Sequence, residues 1–226
     1  MKKPIVTLKD VSKIFDNGTK ALDSINLEIF KNETIILSGV SGSGKTTLIG
    51  LIAGLDRPTE GLVEVDGVKI SKLPQIELDS FRQKSVGVIF QDFGLIEYLT
   101  VYENIIASLI PLRLERDIAE RRVQEAMREA NISHKANSRV YHLSGEKKQR
   151  CAIARAVVNR PNIVICDEPT ANLDLENSKQ FIKLLNGLKS KGHTVIIATH
   201  DPIFERLMPN IRKITISNGK IEKSNG

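Results

Sequence analysis

The chain has 226 residues, 41% hydrophobic and 27% charged, which suits one large domain, or a domain with a subdomain, around a real core. Tryptophan is absent and aromatics make up 4%, so that core must be aliphatic; no apolar run approaches a bilayer-spanning length, and the basic start Met1-Lys2-Lys3-Pro4-Ile5 has no apolar segment behind it to form a signal peptide. The net charge of +6 is compatible with nucleotides, nucleic acid or an anionic membrane, but no basic block is long enough to favour nucleic acid; two cysteines and four scattered histidines give neither a disulfide framework nor a metal-ligand spacing.

Ile5-Val6-Thr7-Leu8 and Ile14-Phe15 read as strand pieces around a polar stretch, with a turn at Asp16-Asn17-Gly18. Leu22, Ile25, Leu27 and Ile29 continue a small antiparallel sheet. An apolar strand, Ile35-Ile36-Leu37-Ser38, then runs into Gly39-Val40-Ser41-Gly42-Ser43-Gly44-Lys45-Thr46, which fits G-x-x-x-x-G-K-[ST] at every fixed position. Only a loop with little side-chain bulk can wrap its N–H groups around phosphate oxygens. The helix expected over 45–53 aims its positive end at the same place. Lys45 can reach the outer phosphates and Thr46 can hold magnesium.

A strand over 62–65 follows, then a short buried strand over 86–90 that ends at Gln91, whose neutral amide can meet a metal or a water. The middle of the chain turns helical, with segments over 99–109, broken by Pro111, and over 116–131 and 144–158. Residues 92–160 thus read as a helical insert in an α/β pattern.

That pattern returns at Ile163-Val164-Ile165-Cys166, a strand ending in Asp167-Glu168. Cys166 reads as a small core residue. Behind a phosphate loop, Asp167 can sit near the magnesium beside Thr46, and Glu168 can orient or activate the attacking water. A helix over 177–188 and a strand over 194–198 lead to His200, which can hydrogen-bond a phosphate. Both Gln91 and His200 could equally be ordinary polar residues at strand ends. Asp201 can cap a short helix, and Asn218-Gly219 turns a terminal hairpin. The fold class is α/β: a phosphate-loop core, 1–91 and 161–226, with an antiparallel β subdomain and a helical subdomain, 92–160.

With these elements in line, the whole chain resembles the ATP-binding subunit of an ABC transporter. Leu143-Ser144-Gly145-Glu146-Lys147-Lys148-Gln149-Arg150 resembles the family signature, Leu-Ser-Gly-Gly-Gln; Ala171-Asn172-Leu173-Asp174 resembles the loop after the catalytic glutamate. The resemblance implies ATP and Mg2+ as cofactors. It makes Glu168, His200, Gln91 and Lys45 the catalytic set, with Thr46, Gln91 and Asp167 at the metal. Gly39, Ser41, Gly42, Ser43, Gly44, Thr46 and Thr47 would hold phosphates, and Phe15 would stack on adenine. It also implies a head-to-tail dimer, most simply of identical chains, in which Ser144 and Gly145 of one copy face the γ-phosphate held by Lys45 of the other. Asp174 would help join the two sites. Ser144-Gly145 could alternatively be a plain helix cap.

Glu146 departs from the family's glycine and Lys147 from its glutamine. A carboxylate there is repulsive toward phosphate unless it points away or pairs with a cation, for which Lys147 is a candidate. Reduced hydrolysis is the expectation, or harmless variation outside the nucleotide's reach. The stretch 86–105 resembles the lipoprotein-release, macrolide-efflux and antimicrobial-peptide-resistance branch. That implies a subunit peripheral to the cytoplasmic face of a bacterial membrane, driving a permease for peptides, lipoproteins or hydrophobic antimicrobials. Phe93, Leu95, Ile96, Tyr98 and Leu99 would dock the permease, unless they are core of the insert. The alternative is a regulatory or bridging ATPase of a cell-division-type complex. A DNA-repair or ribosome-associated ATPase would carry coiled-coil arms or two cassettes, and neither is present.

Overall fold

Aliphatic strands buried on both faces build the centre of the molecule. β3 (Thr34–Ser38), β6 (Ile163–Asp167) and β7 (Thr194–Thr199) expose almost nothing, as a covered parallel sheet requires. The computed structural model describes residues 3–171 and 173–225. In it the strands run in the order β5-β6-β7-β3-β8-β9, where β5 is Val86–Ile89, β8 Arg212–Ser217 and β9 Lys220–Asn225. All neighbours are parallel except β8 and β9, whose hairpin turns at Asn218 and Gly219, both with positive φ as a tight hairpin turn demands.

Strand neighbours point to opposite faces, and the two faces meet two apolar clusters. Ile36, Ile89, Val164, Cys166, Val195 and Ile197 face α3 (Val101–Ile106), α4 (Arg116–Glu129), α5 (Gly145–Val157), α6 (Leu175–Ser190) and α7 (Ile203–Leu207). Ile35, Leu37, Ile163, Ile165, Ile196 and Ala198 face α1 (Lys45–Ile52), α2 (Gln75–Ser85) and a three-stranded antiparallel sheet. That sheet has the order β2-β1-β4, with β1 Pro4–Ile14, β2 Lys20–Phe30 and β4 Glu60–Val65. Residues 92–160 bury their apolar face in the same cluster as the first face of the sheet. Both cysteines lie in that cluster, and burial pushes the Cys151 thiol up to about 12.

Three elements differ from the sequence reading. β1 is one strand, not two pieces: the polar stretch bulges at Asp10, φ 48, where the register with β2 shifts between Leu8 and Val11. The helix expected over 99–109 is α only to Ile106; a 3-10 segment, Ala107–Leu112, takes in Pro111. α2 has no apolar periodicity to mark it in the sequence, because it is mostly polar and buries only Leu78 and Phe81. The start of α3 follows local rules: Thr100 and Glu103 cap each other's backbone N–H groups. Among the described residues no helix is long and apolar enough to cross a membrane.

Candidate nucleotide site

Parallel strands deliver their following loops to one edge of the sheet, so the ends of β3, β5, β6 and β7 bring four sequence-distant segments together. The result is an open cleft of about 590 Å³. It is lined by Phe15, Ser41, Gly42, Gly44, Lys45, Thr46, Thr47, Gln91, Glu168 and His200, ten of the residues expected from sequence. The glycines are needed for close approach. A Cβ at Gly39 would lie 2.3 Å from the Ile216 carbonyl, and one at Gly44, φ 108, would lie 2.6 Å from the Ala21 carbonyl. No side chain caps α1, so its first-turn N–H groups stay available to an anion at the cleft.

Lys45 is buried at the cleft floor and donates to the Gly39 and Val40 carbonyls at 2.7 and 3.1 Å. Its Nζ lies 3.7 Å from Glu168 Oε1. Glu168 itself has φ 42 and donates its N–H to the Ala198 carbonyl. Its carboxylate accepts from Thr199 Oγ1 at 3.0 Å and the His200 N–H at 3.3 Å, and it meets His200 Nδ1 at 2.9 Å. β6 and β7 thus lock this carboxylate in the cleft while the His200 ring stays mostly exposed.

Thr46 Oγ1 donates to Asp167 Oδ1 at 3.3 Å. Burial raises the Asp167 carboxyl above its ordinary range, and Glu168 adds to this; the Thr46 hydrogen bond and Lys45 oppose it. A half-buried carboxylate short of positive charge, beside a hydroxyl, is a fitting donor pair for Mg2+, which takes few protein ligands and keeps waters and phosphate oxygens. Gln91 lines the same cleft.

Ser43 is buried beside the cleft, not in its lining, and its carbonyl accepts from the Gly219 N–H at 3.0 Å. Ser144, Gly145 and Asp174 do not line the cleft; all three are exposed. Ser144 precedes α5 and Asp174 caps α6 by accepting from the Asn177 N–H. Asn172 lies outside the described residues. Glu146 turns back along α5 and pairs with Arg150, Nε to Oε1, at 2.8 Å. The compensating cation is therefore Arg150 and not Lys147, because i and i+4 share a helix face and i and i+1 do not. Sequence reading missed Thr19, Lys20, Asn218 and Gly219 in the lining. The Asn-Gly pair was legible as a turn, but nothing local says that it buttresses the phosphate loop.

Residues 22–171 match the ABC transporter family. The chain belongs to that family. It is an ATP-binding subunit, an ATPase that uses ATP with Mg2+. It is 36% identical over 217 residues to the cell division ATP-binding protein FtsE of Bacillus subtilis, covering 96% of this chain and 94% of that one. It is 35% identical to the macrolide export ATP-binding/permease protein MacB of Haemophilus ducreyi, covering 98% of this chain but 32% of that longer protein. Its fold superposes on the dimeric, post-hydrolysis ATP-binding cassette MJ0796 bound to ADP and phosphate, with a TM-score of 0.88, 36% identity and 97% of each chain covered.

Proposed function

We propose that this ABC ATPase works as half of an ATP-dependent clamp that drives a membrane permease. One observation carries the reading. Lys45, Thr46, Gln91, Glu168 and His200 share a cleft, whereas Ser144, Gly145 and Asp174 stand exposed outside it. A second copy, packed head to tail, would bring its Ser144 and Gly145 over the first copy's cleft. The N-terminal end of α5 would then offer N–H groups and a positive dipole to the γ-phosphate. ATP would join the copies, and its hydrolysis would let them part.

Within each cleft Lys45 leaves its loop carbonyls for the outer phosphates, the loop 39–44 and Thr47 hold them, and Phe15 stacks on the base. Thr46 and Asp167, with Gln91 at the edge, would hold Mg2+, which neutralises charge on the phosphate oxygens. Glu168 orients and polarises the attacking water, and His200 keeps Glu168 and the γ-phosphate in register.

The permease contact is narrower than the sequence implied. Phe93 and Leu95 pack against the core, and Leu99 is half-buried, while Ile96 and Tyr98 face outward. Tyr141, 6.1 Å from Tyr98 between ring centroids, extends that patch. We assign Ile96, Tyr98 and Tyr141 to the docking of a cytoplasmic permease segment, which places the chain at the inner membrane face. Export or extraction of a peptide, lipoprotein or hydrophobic antimicrobial is the substrate reading, supported by the likeness to the macrolide exporter. The likeness to the cell division protein over nearly the whole chain favours a second reading, a bridging ATPase of a division complex. The identity of the co-purifying membrane protein separates the two.

Glu168→Gln tests the clamp. This variant should bind ATP and remain dimeric by size-exclusion chromatography with multi-angle scattering, because the glue is never cleaved. A variant that binds ATP yet stays monomeric at all concentrations would overturn the head-to-tail reading.

A further inference from the structure

α5 carries Ser144 and Gly145 at one end and Arg155 in its last turn. The Arg155 side chain crosses to the segment just after Gln91. Its Nη2 donates to the Phe93 carbonyl at 2.7 Å, and its Nη1 donates to the Gly94 carbonyl. Phe93 and Gly94 are consecutive left-handed residues, with φ 65 and 55. Glycine adopts that conformation freely, but for a bulky aromatic it is an outlier. Such a backbone persists only where its surroundings over-determine it. The two carbonyls of this strained pair are the two that the guanidinium takes, one per terminal nitrogen. A planar fork suits two acceptors at fixed spacing; an ammonium group does not.

The fit around this contact is close. A Cβ on Gly94 would lie 3.2 Å from Phe90 Cδ2 and 3.4 Å from Arg155 Nη2. Arg155 is partly buried, and burial pulls its pKa down, against smaller opposing effects of Cys151 and Asp92. Among the described residues Arg155 forms no ion pair, so the backbone carbonyls are what satisfy it. Lys148 on the same helix also meets Glu97, at 3.0 Å, but Glu97 is well exposed and such surface pairs hold little. On the other side, Gln149 donates to the Pro169 carbonyl, next to Glu168.

We propose that Arg155 is a positioning residue: it holds the Phe93–Gly94 turn, and thereby sets Gln91 in register with the Ser144–Gly145 end of its own helix. At 1.5 Å per residue, Ser144 and Arg155 are about 16 Å apart along one rigid helix. That helix links a chain's own Gln91 to the end that completes the partner copy's site. The inference rests on the roles given above to Gln91 and Ser144.

The test uses the full chain and three variants, Gln91→Ala, Arg155→Lys and Arg155→Lys/Phe93→Asn. It reads ATPase kinetics and amide hydrogen exchange. Arg155→Lys keeps the charge but loses the fork. It should lower kcat about tenfold with KM for ATP within about twofold, since small misplacements at a reacting centre are costly. Exchange should quicken over 91–97 and not in the sheet. Asparagine tolerates the left-handed region, so adding Phe93→Asn should restore part of the kcat. Wild-type kcat and exchange in Arg155→Lys, beside a slow Gln91→Ala, would overturn the inference. Faster exchange throughout α5 and the sheet would also overturn it, because that marks a structural role only. If Gln91→Ala hydrolyses ATP normally, the reading of Gln91 itself fails, and exchange over 91–97 still decides whether Arg155 holds the turn.

Discussion

Glu146 shows how one contact changes the meaning of a residue. Read alone, a carboxylate in the signature threatens the γ-phosphate. In the structure Arg150 holds it along the helix, and the same guanidinium also donates to the Ala130 carbonyl and to Gln180 Oε1. An acid in the first turn of α5 further suits the helix dipole. Glu146→Gly should therefore leave kcat within about twofold, and Arg150→Met should harm hydrolysis more in the native background than in an Glu146→Gly background. A double-mutant cycle on ATPase rates should show a coupling of about 1 kcal/mol between the two positions. A coupling near zero would mean that Arg150 does not restrain this carboxylate. The motif residues were legible because their chemistry is local: a glycine loop, a lysine, a strand ending in two acids. Arg150 was within reach as the partner of Glu146, since a helix over 144–158 puts positions 146 and 150 on one face; its contacts with Ala130 and Gln180, which hold the guanidinium from other elements, were not.

At the scale of elements, the β8–β9 hairpin does work that its own sequence does not announce. Gly219 donates its N–H to the Ser43 carbonyl, and its carbonyl accepts from the Asp23 N–H, so the turn braces the phosphate loop from behind. It sits at φ 74, and an added Cβ would lie 2.7 Å from the Ala21 carbonyl. Gly18 has a similar φ of 80 but nothing within 4 Å. Gly18→Ala should thus cost only the left-handed penalty, about 1–2 kcal/mol. Gly219→Ala should cost more in urea unfolding and should also raise KM for ATP. Equal costs with unchanged KM would remove the hairpin from the site. Strongly periodic elements such as α4, α5 and the buried strands could be found from pattern. α2 could not, because two buried residues in 11 leave no clear apolar stripe.

At the scale of the molecule, the proposed clamp makes the cleft half of a site. A mixing experiment tests this without any membrane partner. Lys45→Ala removes the phosphate-loop lysine, and Gly145→Asp spoils the signature. Each variant alone should be nearly inactive. Mixed, half of the dimers pair unlike chains, and each such dimer keeps one intact site, so activity should return to about a quarter of native. A mixture as inactive as its parts would show that each chain completes its own site.

Spacing and residue type alone determined the α/β class, the phosphate loop, the acidic strand end and the run of helices between residues 92 and 160. These depend on interactions within a few residues, where 3.6- and two-residue periods and glycine's freedom are decisive. Tertiary structure decided which distant residues share the cleft, that Asn218 and Gly219 join it, and that Arg155 grips the turn beyond Gln91. Those contacts join residues about 30 to 200 positions apart. Such choices are made by the order of strands in the sheet and by which helix face is buried, and neither is written in any local stretch of the chain.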